Sequence, residues 1–237
     1  MNRSMQSTTT FLLLEVKMIL RNKKPLHNLY QTILMYISVI LLLLHLNNSI
    51  SVPMFFNVLI VNMMSSMFIL AHGIYLLTWE STYFSFLVTR KVSFHSFFKA
   101  KYSLFALSAA VLSLINIPIL IFVKESLLLY LSFLVFNIGI TALLVVSASL
   151  FNNERASLDR GIFINFEGYG FWQYLVFIVE LMLPTFIYLS ISKAWNPNAA
   201  MIIIFVFGII GIIILSYSPS LFFLERKYKI INGFNKK

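Results

Sequence analysis

The stretch Ala199-Ala-Met-Ile-Ile-Ile-Phe-Val-Phe-Gly-Ile-Ile-Gly-Ile-Ile-Ile-Leu215, continuing without a charge to Phe222, decides the fold. An apolar run of roughly twenty residues, wound as an α-helix at about 1.5 Å per residue, covers a hydrocarbon core of about 30 Å. Five more runs of this kind precede it, at residues 26–46, 53–78, 102–123, 126–150 and 171–192, so that with 199–222 six spans are expected. Composition agrees: of 237 residues 59% are hydrophobic, 16% aromatic and only 11% charged, with a mean hydropathy of +0.88. A soluble domain of this length carries far more charge. The expected fold is therefore all-α: a polytopic membrane protein whose residues 1–237 form a single transmembrane domain.

Orientation follows from the basic residues, because Lys and Arg close to spans are retained on the cytoplasmic side. One face receives Arg3, Lys17, Arg21, Lys23 and Lys24 before span one, Arg90, Lys91, Lys99 and Lys101 after span two, and Arg155 and Arg160 after span four. The tail at 223–237 adds Arg226, Lys227, Lys229, Lys236 and Lys237, which leaves only Lys124 and Lys193 for the other face. Both termini are expected in the cytoplasm. The net charge of +10 is thereby a topology signal, and with no aromatic–basic binding module beside it no nucleic-acid partner is expected. The polar start, Met1 to Thr10, lacks the apolar core of a cleaved leader. With no cysteine, the chain has no disulfide, thiolate nucleophile or cysteine-bound metal.

Three cytoplasmic segments and one buried carboxyl carry the remaining information. Residues 8–24 read as an interfacial elbow helix, with Phe11, Leu14 and Met18 on the apolar face and Glu15, Lys17 and Arg21 elsewhere on the turn, ended by Pro25. Residues 79–101 are aromatic and basic together. Phe84, Leu87 and Val88 repeat at helical spacing, a polar stretch follows from Thr89 to Ser93, and Phe94, Phe97 and Phe98 repeat again, so two short helices joined by a turn are expected. Ordinary interfacial anchoring by aromatics and snorkelling lysines accounts for the same pattern. In the loop after span four, Glu154, Arg155, Asp159 and Arg160 read as a structural ion-pair cluster; oxygen ligands without a loop spacing do not make a metal site of Glu154, Asp159 and Glu167.

Glu180 lies deep in span five. A charged carboxylate there costs roughly 2.5 kcal/mol or more, so it is expected to face the bundle interior, with His45, His72, Lys193 or Thr185 as candidate partners. It reads either as a proton- or substrate-handling group or as a protonated acid bonding between helices. The four histidines are scattered, and neither a zinc-protease helix, a nucleophile elbow nor a phosphate-binding Gly-rich loop occurs, so no catalytic or cofactor site is expected and the chain reads as a non-enzyme.

The order of these parts, an elbow before span one, a helix pair after span two with an early Glu80, and six spans with short outer connections, resembles the permease subunits of type-2 ABC exporters. The segment 79–101 is similar to that family's coupling region through Glu80, Phe86, Leu87, Thr89 and Arg90. More narrowly, Leu14-Glu15, Arg21-Asn-Lys-Lys-Pro25, Trp79-Glu-Ser81, Ala100-Lys-Tyr102, Leu158-Asp159, Asn165-Phe-Glu-Gly-Tyr-Gly170 and Gly233-Phe234 look like an uncharacterised bacterial family of ABC-permease-like membrane proteins, over nearly the whole chain. Members of that family are often about twice as long, and this chain corresponds to their C-terminal half.

The resemblance implies a place in the bacterial inner membrane, a second permease copy or paralogue, surrounding membrane lipids, and an ABC ATPase subunit that binds the ATP. That ATPase would dock on Glu80, Phe84, Phe86, Leu87, Arg90 and Phe94. Two other readings stay open: an ATP-independent transporter or channel that uses Glu180, and a non-transporting membrane scaffold.

Overall fold

Helices are expected wherever a long apolar segment must satisfy its own backbone in lipid, and six cross-membrane helices stand in the structure, a computed structural model. It describes residues 3–47, 53–89, 93–123, 126–152, 154–158, 168, 170–217, 226 and 228–234. No strand occurs among them. The protein is an all-α polytopic membrane protein.

Helix α1 (Arg3–Arg21) precedes the first span, α2 (Lys23–Asn47), from which only Asn22 separates it. Pro25 falls in the first turn of α2, where a missing N–H costs nothing. The second span, α3 (Met54–Gly73), runs on through turns into a short 3₁₀ segment at Thr78–Glu80. After α4 (Phe84–Thr89) comes α5 (Phe94–Val123), one uninterrupted helix of 30 residues. The expected second coupling helix is thus not a separate element but the beginning of span three. Nothing between Phe94 and Tyr102 can break a helix, since neither Pro nor Gly occurs there.

Span four is α6 (Leu127–Phe136), a π-helical turn at Asn137–Thr141, and α7 (Ala142–Ser149). Ser126 caps its start, its Oγ accepting from Leu129 N at 3.3 Å. Spans five and six are α8 (Phe171–Ala194) and α9 (Pro197–Tyr217). Residues 228–234, placed by the sequence in a plain tail, are helical.

The bundle is turned inside out relative to a soluble protein. Leu34, Leu41, Leu114, Phe122, Ile178 and Ile202 are exposed and face lipid, while Asn62, Asn116, Asn137, Thr141 and Glu180 are buried. Span four and α9 approach each other closely through glycines. A Cβ on Gly208 would lie 2.6 Å from the Val135 carbonyl oxygen, and one on Gly211 would lie 2.6 Å from Ile140 N. Only glycine permits that contact, and it gives Gly208 and Gly211 the packing role that small residues hold in membrane interfaces.

Candidate functional site at the basic end of the bundle

The faces of an interfacial helix meet different surroundings, and in α1 it is Glu15 that looks inward. Glu15 and Ile19 are buried, with Phe11 and Met18 partly so, whereas Leu13, Leu14 and Leu20 are exposed. The expected apolar face of Phe11, Leu14 and Met18 is therefore corrected: α1 shows its leucines to lipid and its carboxylate to the protein. The reason lies on α5. Lys101 Nζ donates to Glu15 Oε1 and, at 2.8 Å, to Glu80 Oε1.

Two carboxylates around one ammonium, all three buried, tie α1 to the end of span two and the start of span three. At such depth a charge is tolerable only when paired and hydrogen-bonded. Tyr83, just beyond, feels the same site: partial burial and then the carboxylates of Glu80 and Glu15 hold its hydroxyl above the ordinary range. Phe97 closes the group from the side, with Lys101 Nζ 4.8 Å from its ring centre and the Phe11 ring edge-on at 6.0 Å.

Around this charged group the loops interlock. Trp79 stacks on Tyr75 at 5.1 Å and meets His72 edge-on at 5.7 Å. Lys24 lies 5.7 Å from the Tyr75 ring centre, and its backbone N–H donates to Leu158 O at 3.0 Å. Asn152 Nδ2 donates to Gly168 O at 2.8 Å. Gly168 has φ +93°, where side chains are strained, and a Cβ there would stand 2.8 Å from Ala156 Cβ. Phe234, in the terminal helical stretch, packs edge-on against Phe84 at 5.6 Å. Glu15, Lys24, Trp79, Glu80, Lys101, Leu158, Gly168 and Phe234, which come from all seven of the short stretches that carry the resemblance, are thus gathered at one end of the bundle.

The expected docking residues divide. Glu80 and Phe84 are buried and are no part of an outer surface: the first is held by Lys101, the second by Phe234. Phe86 is 54% exposed. Leu87 and Phe94 are half-buried, and Phe94 lies edge-on to Phe97 at 6.0 Å. Arg90 lies outside the described residues, as do Asp159 and Arg160 of the expected ion-pair cluster. Glu154 and Arg155 are half-buried, and Glu154 N donates to Asn152 Oδ1 at 3.0 Å.

A second polar group sits in mid-bundle around Glu180. Thr141 Oγ1 donates to Asn137 Oδ1 at 2.7 Å and lies 3.4 Å from Glu180 Oε1. Asn137 Nδ2 donates to Ser65 Oγ at 2.7 Å and to Asn62 Oδ1 at 3.2 Å, and Asn62 Nδ2 reaches the Glu180 carbonyl oxygen at 3.3 Å. Thr185, an expected partner, donates instead to its own helix at Leu181 O, 3.1 Å away. Three spans meet here, and two of the participants, Asn137 and Thr141, are the ends of the π-helical turn, a distortion that frequently marks functional positions. Isolated Asn and Thr residues in apolar runs were the signal that could have found this group.

No protein of curated function and no solved structure matches the chain. Residues 5–237 match the family described as "Family of unknown function (DUF5687)", and the chain belongs to that family.

Proposed function

We propose that the chain is the membrane-spanning subunit of an ATP-driven exporter, located in a bacterial inner membrane, which forms a translocation pathway with a second permease unit and takes its energy from a separate ATPase docked at the basic end. The observation that supports this reading best is the Glu15–Lys101–Glu80 group. Force applied to the α4 segment or to the start of α5 is passed to α1, span two and span three together, because a buried ion group resists separation. A bundle driven from one end needs such a joint, and nucleotide-dependent closure of the ATPases would shift the bundle between two arrangements through it. The docking face on this reading is narrower than the sequence alone suggested: Phe86, Leu87 and Phe94, together with Arg90, which lies outside the described residues, but without Glu80 and Phe84.

Co-purification in mild detergent tests the reading. The wild-type chain should bring down an ATPase with a phosphate-binding loop, and Phe86→Asp should lose most of it while the bundle stays folded. Absence of any ATPase, or full retention by Phe86→Asp and Leu87→Asp alike, sinks the proposal.

The group around Glu180 favours a second reading, an ATP-independent transporter in which this carboxyl handles a proton or cation. It requires that Glu180→Gln abolish flux in proteoliposomes without ATPase while leaving assembly intact.

A further inference from the structure

A cavity of about 140 Å³ opens between the start of α5 and the end of α9, with α7 behind it. His95, Lys99 and Tyr102 line one side, Val146, Ile212 and Leu215 the other. Its depth in the membrane can be counted. Twenty residues back from Val123 along α5, about 30 Å, is the neighbourhood of Tyr102, and twenty forward from Pro197 along α9 is the end of that helix. The polar side thus lies in the headgroup layer and the apolar side just inside the hydrocarbon. His95 and Lys99 are exposed, and no ion pair of Lys99 occurs among the described residues.

We infer that this cavity is a binding site for one anionic phospholipid of the basic-side leaflet. Charge complementarity chooses the ligand: Lys99 is a cation at an apolar opening, where a headgroup of net negative charge is attracted and a zwitterionic one, whose phosphate is offset by its own cation, much less so. His95 and Tyr102 add donors for phosphate or glycerol oxygens. Below them, Ile212, Leu215 and Val146 offer a surface for the upper part of an acyl chain. The volume is close to that of an apolar cavity of about 150 Å³ that holds a benzene ring, which suits a short length of chain rather than a whole lipid. The site is distinct from the Glu15–Lys101–Glu80 group, since Lys101 looks inward from the same helix on which Lys99 looks out. It rests on the membrane fold alone and does not depend on the exporter reading.

The full chain, delipidated in non-ionic detergent, would be titrated with phosphatidylglycerol or with phosphatidylcholine of the same chains, and bound lipid counted by native mass spectrometry. One phosphatidylglycerol per chain should be held with a preference of about five-fold or more, as one surface lysine contributes. Lys99→Glu should bring it down to the phosphatidylcholine level, Ser216→Trp, which fills the mouth, should weaken both lipids, and Lys193→Glu at the opposite end should leave the preference intact. Gel filtration of each variant confirms the fold. Equal binding of the two lipids by wild type, or an undiminished preference in folded Lys99→Glu, overturns the assignment.

Discussion

Lys99 and Lys101 stand two residues apart on one helix and have opposite fates, one in the headgroup layer and one buried between two glutamates. Counting charges treats them alike, and so by sequence Lys101 falls among the topogenic lysines and Glu15 with Lys17 and Arg21, away from the apolar face of the elbow helix. The pairing joins positions 86 residues apart, and single-sequence spacing has no access to contacts of that range. We predict that Lys101→Met, which strands two buried carboxylates, destabilises the folded bundle by about 3–5 kcal/mol, measured by denaturant unfolding in micelles. Glu15→Gln should cost less, and its effect should largely vanish in the Lys101→Met background; strict additivity would show that the two residues are uncoupled. In mid-bundle, Asn137→Ala removes a side chain that serves Asn62, Ser65 and Thr141 at once. A loss of roughly 0.6–2 kcal/mol is expected, as for other hydrogen bonds between membrane helices, and a thermal shift no larger than that of a lipid-facing control such as Leu114→Ala would count against the network.

Among the elements, the six spans were legible because about twenty predominantly apolar residues in a row have few alternatives to crossing a bilayer. The end of α4 at Thr89 was legible too, since polar residues interrupt the helical spacing from there, while most of the expected turn, residues 90–92, lies outside the described residues. Two features were not: the fusion of the second coupling helix with span three, whose only sign is the absence of a breaker, and the π-helical turn in span four, which no residue type announces. The glycine contact was half visible. Gly208 and Gly211 stand about one turn apart in the run 199–215, a spacing that permits close approach, but that they meet the backbone of span four, with Gly139 opposite, depends on tertiary placement. A substitution Gly208→Val should force α9 away from span four and lower the melting temperature by much more than Ile209→Val one position on, where the side chain faces lipid. Similar shifts for the two would mean that the helices do not approach so closely.

At the level of the molecule, the absence of native cysteine makes the orientation directly testable. Trp195→Cys, exposed at the end of α8 away from the basic end of the bundle, should react with a membrane-impermeant maleimide in intact cells, and Phe86→Cys only after permeabilisation. The reverse pattern would invert the topology inferred from the basic residues. Function is less legible than fold for a plain reason: apolar helices are specified by the solvent they meet, whereas a transport path or a docking face is specified by a few contacts among distant residues.

The length of α5 gives the charged group a mechanical meaning. Taking Lys101 as fulcrum, the helix has a short arm of about 10 Å to Phe94 and a long arm of about 33 Å to Val123. A rocking motion of 2 Å at the inner tip would sweep the outer tip through about 6 Å, roughly one helical turn's height. The bundle would then be geared, with a small stroke at the basic end amplified about threefold at the far side, and the fulcrum would be the point in the span that moves least.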